Sequence, residues 1–577
     1  MFLISCSQIQ KESVPPNVII ILTDDQAWGD LSYHGNTNLS TPHIDQIALQ
    51  GTVVENFYVQ PVCSPTRAEI LTGQFFPKLG VYATSAGGER MNLGIPTIAD
   101  IFKNAGYATA AYGKWHNGSQ PPYHPNSRGF EDYYGFCSGH WGNYFSPMIE
   151  HNGKITQADG YLVDDFVNHG IDFIAAQNGN PFFLYLPLNT PHSPMQVPDT
   201  FWNAIKNRSF KMSYHGVEKE DEQFTRAALA MVENIDWNVG RLNTYLKEHQ
   251  LEDNTIVVFM SDNGPASWRW NGGLKGKKGS TDEGGVKSPF FIKWPKKISS
   301  GTISNQLMGS VDVLPTLINL AGITLEDSLD IDGIDLSTHL LDKKSYPIDR
   351  IIYNHWNNKT SIRTQNFRLD HENRLFDISK DIGQTKDISI DFKAITDSLI
   401  KIKNRWIAEM STANSENSKR RFPIGDSIHK YVQLPARDGK AHGKITRSNR
   451  YPNDSFFTNW VDEKDSITWN VDILNDETYE VYLYYTCKPE DLGTELELHL
   501  NNNTISTIIT EAYDPPLLGE ERDRSPRIES YVKDFKSLKM GEISVKKGEG
   551  TLSLRAITIP GNSSIDFRLL DFQKVEP

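Results

Sequence analysis

Residues 17–25 read NVIIILTDD, five consecutive apolar residues at positions 18–22 followed by a threonine and two aspartates. A run that is apolar at every position, rather than at alternate positions, is typical of a strand buried on both faces of a parallel sheet. Asp24 and Asp25 would then lie at the carboxyl end of that strand. The stretch therefore predicts an α/β fold with a polar site at one edge of its sheet.

Three further apolar runs, residues 109–112, 182–188 and 256–260, also lead into polar side chains. These side chains are Lys114 and His116 after the first run, His192 after the second, and Asp262 and Asn263 after the third. In open α/β sheets, ligands bind in the crevice beyond the carboxyl ends of the strands. The recurrence predicts one shared site built from distant segments of the chain.

Helical patterns lie between these runs, for example at residues 96–104 and 224–246, where apolar residues recur every three or four positions. We therefore predict that residues 16–345 form a large mixed, mostly parallel sheet sandwiched by helices. From residue 346 to about 410 the pattern changes to short strands and one helix, which predicts a small α+β subdomain.

Beyond a polar segment at 411–428, which we interpret as a linker, apolar and polar residues alternate over much of 429–577. This alternation predicts an appended β-sandwich, similar to carbohydrate-binding modules of glycan-active enzymes. A second interpretation is a sandwich that merely packs on the N-terminal α/β domain. Both interpretations are open at this point.

The composition restricts the partners of the chain. Its 577 residues are 38% hydrophobic, as expected for a globular protein, and carry a formal net charge of −14. Such a charge argues against nucleic acid or an anionic membrane surface as partner, so an anionic substrate would need a local basic pocket. Four cysteines are too few and scattered for a disulfide framework or a zinc site, although a Cys137–Cys487 bridge is left open.

Residues 1–15 have the character of a leader or tether. No stretch approaches the roughly 20 apolar residues that span a bilayer, but residues 3–6 (LISC) are similar to a bacterial lipobox. This predicts export to the periplasm or the outer-membrane or cell surface, with a lipid anchor on Cys6 as the membrane attachment. The alternative is an apolar N-terminus of a cytoplasmic protein.

Residues 63–73 read CSPTRAEILTG. Ser64 suits the cap of a helix and Pro65 its first turn, which would leave Cys63 beside unpaired backbone donors that attract an anion. Arg67, one turn later, would share a face with Cys63. For the cysteine alone, a buried structural role before an ordinary helix is the simpler interpretation.

The whole stretch, however, resembles the signature of type I sulfatases of the alkaline phosphatase superfamily, a resemblance that spans residues 16–410. Residues 106–116 (GYATAAYGKWH) and 278–285 (KGSTDEGG) are similar to two further segments of that family. The resemblance implies that a maturation enzyme oxidises Cys63 to formylglycine (3-oxoalanine), whose hydrated aldehyde attacks the sulfur of a sulfate ester. Thr66, Asn117 and Asp282 depart from the usual family residues.

The resemblance also implies roles for the neighbouring side chains. Lys114 would hold sulfate oxygens, and His116 would act as a base with a pKa near neutrality. Lys278 and His192 would serve the leaving alcohol, although Lys275 and Lys277 lie close enough in sequence to compete with Lys278. Taken singly, each lysine is more simply interpreted as a solvated surface charge and each histidine as an ordinary polar residue, but together at the matching places they favour the family roles.

A bound metal ion is expected at the aspartate pairs. Asp24, Asp25, Asp262 and Asn263 offer only oxygen ligands, which suit Ca²⁺ first and Mg²⁺ second rather than zinc. An isolated Asp-Asp pair is more often a turn or a helix cap. The resemblance implies calcium at these positions and at the formylglycine made from Cys63.

The substrate is expected to be a sulfated carbohydrate, by analogy a marine algal polysaccharide such as ulvan or its oligosaccharides. Aromatic and basic candidates for the rim of the site, each of which could equally be core or loop residues, are His140, Trp141, His215, Trp268, Arg269, Trp270, His355 and Trp356. Two alternatives to a sulfatase are a phosphonate or phosphate ester hydrolase of the same superfamily and a non-catalytic glycan-binding lipoprotein.

Overall fold

A computed structural model describes residues 14–325, 329–341, 347–411 and 417–575. In these ranges no helix has both the length and the apolar character of a membrane-spanning segment. Residues 1–13, which include the predicted lipid-anchor site Cys6, lie outside the described residues.

Most of the predicted strands and helices are present, with shifted ends. The strands of the N-terminal half are β1 (Asn17–Thr23), β2 (Thr52–Val54), β3 (Phe57–Tyr58), β4 (Ala108–Lys114), β5 (Asp132–Phe136), β6 (Met148–His151), β7 (Lys154–Gln157), β8 (Phe182–Pro187), β9 (Thr255–Ser261), β10 (Phe290–Lys293), β11 (Thr302–Ser304) and β12 (Met308–Gly309). The α-helices are α1 (Pro42–Gln50), α2 (Cys63–Thr72), α3 (Ile98–Asn104), α4 (Leu162–Ala176), α5 (Asp199–Ile205), α6 (Glu222–Glu248), α7 (Glu283–Val286), α8 (Val313–Leu320), α9 (Ser337–Leu341) and α10 (Lys393–Ser411).

One large sheet carries the polar strand ends. Within the described residues its order is β11-β2-β10-β9-β1-β8-β4-β5-β6-β7. The central strands β9, β1, β8, β4 and β5 are parallel, whereas β10, β6 and β7 run antiparallel to their inner neighbours. The predicted mixed, mostly parallel sheet is confirmed, and the four strands that end in polar residues are direct neighbours.

Strand β1 is apolar at every position because both of its faces are covered. Ile19 and Ile21 belong to a core that also contains Phe166 of α4 and Met231 of α6. Val18, Ile20 and Leu22 point to a second core, formed with residues of α2, α3 and α8. The helices therefore sandwich the sheet, as the unbroken apolar run indicates.

The region after residue 346 forms the predicted short antiparallel sheet. It consists of β13 (Ile352–Trp356), β14 (Lys359–Arg363), β15 (Phe367–Leu369) and β16 (Leu375–Asp377), in sequential order. Helix α10 covers this sheet, with Leu399 in the same core as Ile362 and Leu375.

The C-terminal region is a sandwich of two sheets around one apolar core. One sheet has the order β17-β22-β27-β24-β25 with β19 beside β22, and the other has β20-β21-β28-β23-β26 with β18 beside β28. These strands are β17 (Phe422–Ile424), β18 (Tyr431–Pro435), β19 (Lys440–His442), β20 (Thr446–Arg447), β21 (Phe457–Thr458), β22 (Ser466–Ile473), β23 (Glu477–Thr486), β24 (Glu495–Leu500), β25 (Asn503–Ile508), β26 (Lys536–Val545), β27 (Gly548–Thr558) and β28 (Asp566–Lys574).

The predicted linker at 411–428 is wrong in its second half. Strand β17 lies within it and pairs in parallel with β22, with Phe422 opposite Val471. Phe422 and Ile424 bury their side chains in the sandwich core, which a solvated linker would not do. A three-residue strand in a polar segment is too short for the pattern to reveal.

The sandwich also packs closely on the N-terminal half. Arg437 pairs with buried Glu89 at 3.1 Å, and the Gln120 side-chain amide donates to the Gln433 carbonyl at 2.9 Å. The Tyr431 hydroxyl lies 3.0 Å from Nδ1 of His124. Neither Cys137 nor Cys487 takes part in a disulfide, and both thiols are buried. The contacts agree with the interpretation of a sandwich that packs on the catalytic domain.

One buried carboxyl on α2 makes the stability of the fold depend on pH. Oε1 of Glu69 accepts hydrogen bonds from the Gln60 side chain at 2.9 Å and the Phe76 backbone at 3.2 Å. Its other oxygen contacts the Ser310 hydroxyl. Burial raises the pKa of Glu69 to about 8, so the folded protein keeps this carboxyl protonated at neutral pH.

We predict that Glu69→Gln flattens this pH dependence. Between the ordinary glutamate pKa and about 8, the folded wild-type protein binds one proton more than the unfolded chain, so its free energy of unfolding falls as pH rises, by up to about 1.4 kcal/mol per unit. In the Glu69→Gln variant, residue 69 cannot ionise and adds nothing to the change of unfolding free energy with pH. Denaturant unfolding at about pH 5 and about pH 8 should show the variant gaining relative stability at the higher pH. Glu248→Gln, at an exposed position of α6, is the control; equal pH profiles for wild type and Glu69→Gln would contradict the prediction.

Candidate active site

The ends of neighbouring strands bring the predicted polar side chains together. The backbone N–H of Asp24 donates to the Thr190 carbonyl at 3.0 Å, and that of Asp262 donates to the Thr23 carbonyl at 3.1 Å. These bonds extend the strand pairing beyond β1, β8 and β9. Strand β4 pairs with β8, so its end lies at the same edge. Nζ of Lys114, the last residue of β4, lies 2.5 Å from Oδ2 of Asp24.

Helix α2 brings Cys63 to the same edge, although its start differs from the prediction. The helix begins at Cys63 with Val62 as its N-cap, so Ser64 is not the cap, whereas Pro65 lies in the first turn as predicted. The helix starts earlier because the Thr66 hydroxyl holds the preceding loop, accepting the Gln60 N–H at 2.9 Å. Burial raises the pKa of the Cys63 thiol to about 11, so the unmodified side chain is not a thiolate.

Arg67 connects the helix to two strand ends. Its guanidinium donates to Oδ2 of Asp262 at 2.8 and 3.1 Å and to the Lys114 carbonyl at 2.7 Å. The side chain is fully buried, and the two carboxylates Asp262 and Asp24 raise its pKa against the effect of burial. A buried pair of this kind fixes geometry because removal of one partner leaves an uncompensated charge.

The donor set at this edge fits a divalent cation. Ligand atoms of Asp24, Cys63 and Asp262 lie within 4.8 Å of one another. Oδ1 of Asp24 and Oδ1 of Asn263 are buried oxygens that have no hydrogen-bond partner. Burial and the nearby Asp24 carboxylate raise the pKa of Asp262, a crowding of like charges that a cation would relieve. Oxygen donors in such number suit calcium or magnesium.

Lys278 is the lysine of its segment that reaches the acidic cluster. Its Nζ lies 2.7 Å from Oδ1 and 2.9 Å from Oδ2 of Asp25. This contact raises the pKa of Lys278 despite its burial. Lys277 instead donates to the Ala266 carbonyl at 3.0 Å, and Lys275 pairs with Asp282 at 3.6 Å. The geometry favours Lys278 over both neighbours.

Asp25 and His116 adopt strained backbone conformations at this site, with φ of 62° and 66°. His116 Nε2 lies 2.8 Å from the Thr84 carbonyl, so Nε2 carries the proton. Its Nδ1 is buried and without a partner, which leaves a free lone pair. The expected pKa near neutrality is wrong, because burial and the adjacent Lys114 lower the pKa of His116 well below its ordinary value. The ring is therefore neutral and able to accept a proton at Nδ1.

Two histidines line the other side of the acidic cluster. His192 Nε2 lies 3.8 Å from Oδ2 of Asp25, and its Nδ1 lies 2.6 Å from the Ser193 carbonyl. His140, predicted as a rim residue, shares that carbonyl through its Nδ1 at 3.0 Å. The two ring centroids are 5.8 Å apart. His140 is therefore part of the site.

The other rim candidates separate into two groups. Trp268 stacks on Tyr214 at 4.8 Å and lies beside Lys277, His215 is exposed, and Trp270 is half-buried. Arg269 is buried and pairs with Asp30 at 2.6 Å, so its assignment to the rim is wrong. Trp141, His355 and Trp356 are half-buried, the first stacked on Phe136 and the other two against Phe76, and a rim role stays a prediction for these three.

Arg269 helps to position the backbone of the site. Besides its pair with Asp30, its guanidinium donates to the Asp25 carbonyl at 3.1 Å and so helps hold the strained Asp25 backbone. The Thr84 carbonyl and the Asn117 amide, which donates to the Ser64 carbonyl at 3.1 Å, are further supports. No sequence signal marks such backbone contacts, since they depend on loops that meet only in the folded chain.

Comparisons with known proteins identify the family of the chain. The sulfatase family pattern matches residues 16–323, and the pattern described as N-sulphoglucosamine sulphohydrolase, C-terminal, matches residues 277–402. N-acetylgalactosamine-6-sulfatase of Rattus norvegicus is 31% identical over 375 residues, 59% of this chain and 68% of that protein.

Solved structures share the fold of the N-terminal part. Ps i-CgsB, solved in complex with k-i-k-neocarrahexaose, is 30% identical with a TM-score of 0.61 and covers 70% of this chain and 94% of its own. Phosphonate monoester hydrolase of Agrobacterium radiobacter, 16% identical with a TM-score of 0.51 over 70% of this chain and 96% of its own, shares the fold alone. With the sulfatase pattern matching more than half of its length, the chain belongs to the sulfatase family and is a sulfuric ester hydrolase.

Proposed function

We propose that the protein hydrolyses sulfate esters on a carbohydrate, with Cys63 oxidised to formylglycine by a maturation enzyme and calcium bound beside it. The observation that carries the proposal is the meeting of Cys63, Lys114 and Lys278 with the buried acidic cluster at one edge of the sheet. The hydrated aldehyde would supply the hydroxyl that attacks sulfur. A bound calcium ion would add positive charge against the developing charge on the sulfate oxygens.

Three basic side chains stabilise charge or position other groups in the site. Lys114, which is buried, and Lys278, which is half-buried, supply fixed positive charge where access of water is restricted and such charge is more effective than in solvent. Arg67 acts as a positioning residue, since its guanidinium is occupied by Asp262 and the Lys114 carbonyl. It would not bind sulfate directly.

Proton transfer falls to the two histidines. Once sulfur is transferred, His116 would take a proton at Nδ1 from the remaining formylglycine hydroxyl, which expels sulfate and restores the aldehyde; the Thr84 carbonyl holds the other ring proton at Nε2. On the opposite side, His192 and Lys278 both lie near Asp25, where they would protonate the leaving alcohol.

The proposed substrate is a sulfated polysaccharide or its oligosaccharides. Support comes from the relatives, one named for a sulfated N-acetylgalactosamine and one solved with a carrageenan-type oligosaccharide. Ulvan and other marine algal glycans belong in the same test panel. The non-catalytic glycan-binding alternative is overturned by membership of a family of hydrolases.

Phosphonate or phosphate ester hydrolysis is the second candidate, because a phosphonate monoester hydrolase has the same fold. Sulfate release from sulfated oligosaccharides should be compared with hydrolysis of a phosphate diester and a phosphonate monoester, using protein co-expressed with a maturation enzyme. We expect sulfate esters to be cleaved with the higher kcat/KM. A preference for the phosphorus esters would overturn the proposal.

We predict that Lys278→Ala lowers kcat/KM for sulfate esters by about a hundredfold or more, because it removes a positive charge directed at the site. The matched variant Lys277→Ala, whose side chain points to the Ala266 carbonyl, should stay within about threefold of wild type. Steady-state kinetics of both variants and the wild type measures these changes in kcat/KM. Equal losses in the two variants would contradict the assignment.

Calcium should stabilise the folded protein through the acidic cluster. We predict that adding calcium after chelator treatment raises the Tm by a few degrees, as expected for a ligand that binds only the folded state. In Asp262→Asn this calcium-dependent increase should be lost, whereas the exposed Asp172→Asn should retain it. The readout is the calcium-induced difference rather than the Tm itself, since Asp262 also pairs with Arg67. An unchanged increase in Asp262→Asn would place the cation elsewhere.

A further inference from the structure

The β-sandwich reaches the active site through two loops. The first, residues 449–454, brings Asn453 to the loop that holds His116. The Asn453 side-chain amide donates to the Thr84 carbonyl at 3.3 Å, the same carbonyl that lies 2.8 Å from His116 Nε2. Ser138 donates to the Asn453 side-chain oxygen at 3.2 Å. A side chain of the sandwich thus shares a hydrogen-bond acceptor with the proposed base.

The second loop, residues 523–532, brings Glu529 to the histidine side of the site. Ser193, the residue after His192, donates its hydroxyl proton to Oε2 of Glu529 at 2.7 Å. Burial opposes ionisation of Glu529, but its polar neighbours, among them the Ser193 hydroxyl that donates to the carboxylate, hold its pKa below the ordinary value. Glu529 therefore offers a charged hydrogen-bond acceptor next to the proposed leaving-group residues.

The loop that carries Glu529 is held in place by several contacts. The Arg527 guanidinium donates two hydrogen bonds to the Asp523 carboxylate, at 2.5 and 2.6 Å, and also donates to the Gly142 carbonyl. Gln196 donates to the Gly519 carbonyl at 2.9 Å and to Asp523 at 3.0 Å. The backbone N–H of Arg524 donates to the Met195 carbonyl at 2.9 Å. These bonds fix the loop against the segments that carry His140 and His192.

Two of the groups presented at this side, His140 and Glu529, are acceptors. His140 donates from Nδ1 to the Ser193 carbonyl, and its Nε2 is buried without a partner. Burial lowers the pKa of His140 to about 3, so Nε2 is an unprotonated acceptor. Together with the Glu529 carboxylate, this nitrogen would be satisfied by hydroxyl or amide N–H groups. A second sulfate or a uronate would bring further acceptors and like charge, which costs free energy.

We propose that Glu529 of the β-sandwich is a specificity-determining residue, which accepts a hydrogen bond from the sugar that carries the sulfate ester and selects sugars with a neutral donor group, not a second anion, beside that ester. The inference rests on the proposed function. It assigns the sandwich to the wall of the active site, in a part of the chain that lies beyond residue 402, where the matched family patterns end.

The test compares Glu529→Gln and Glu529→Ala with Glu542→Gln, an exchange of an exposed glutamate on β26 of the same sandwich. The probes are 4-nitrophenyl sulfate, which lacks a sugar, galactose 6-sulfate, and a disulfated galactose. For galactose 6-sulfate we expect Glu529→Ala to lower kcat/KM by about tenfold or more, mainly through KM. For 4-nitrophenyl sulfate, the factor by which Glu529→Ala lowers kcat/KM should be at least about tenfold smaller than the factor for galactose 6-sulfate.

Glu529→Gln should also narrow the preference for the monosulfated over the disulfated sugar, because it removes the charge while keeping the shape. Equal losses on the aryl and sugar esters, or no loss on either, would overturn the proposal. Glu542→Gln should match wild type on all three probes.

A binding measurement separates this inference from the proposed function. Affinity for galactose 6-sulfate is measured by calorimetry in a Cys63→Ala background, whose methyl side chain cannot be converted to formylglycine. Adding Glu529→Ala should weaken binding by about tenfold, whereas adding Glu542→Gln should leave it unchanged. Unchanged affinity with Glu529→Ala overturns the inference. If the wild-type protein cleaves no sulfate ester, the proposed function fails, while weakened binding in this background still supports the role of Glu529.

Discussion

The structure depends on the compensation of buried negative charge at one edge of the large sheet. Asp24, Asp25 and Asp262 are almost completely buried, and isolated carboxylates there would be prohibitively costly. Lys114 and Arg67 hold the pKa of Asp24 well below its ordinary value although burial opposes this. Each cation comes from a different segment, so the ion pairs also fix the relative positions of α2, β4 and the later loops. The fold and the chemistry are therefore coupled through the same contacts.

That coupling explains which parts of the site were predictable. A strand buried on both faces must be apolar throughout, and its polar end must face the crevice, so the runs at 17–23 and 256–260 predicted both the sheet and the candidate metal ligands at its edge. The signature around Cys63 identified the family. The start of α2 was predicted one or two residues late, because the Thr66 hydroxyl organises the preceding loop by a contact that no local pattern encodes.

The rim was less predictable because residue type alone does not distinguish a buried aromatic from an exposed one. Trp141 and Arg269 have the chemistry of a sugar-binding residue, yet the first is half-buried against Phe136 and the second is buried and anchors Asp30. Conversely, Asn453 and Glu529 lie hundreds of residues from the signature, in loops with ordinary polar composition. Their place at the site follows only from how the sandwich docks. The sandwich is thus better understood as part of the active-site wall than as a separate module.

The most direct test of the central claim is the mass of the peptide that carries Cys63, measured in protein co-expressed with a maturation enzyme and assayed in parallel for sulfate release. The account predicts that Cys63 is converted to formylglycine and that sulfate release from sulfated oligosaccharides rises in proportion to the converted fraction. Sulfate release from protein in which Cys63 remains an unmodified thiol would contradict the account, because burial keeps that thiol protonated and leaves the site without its nucleophile.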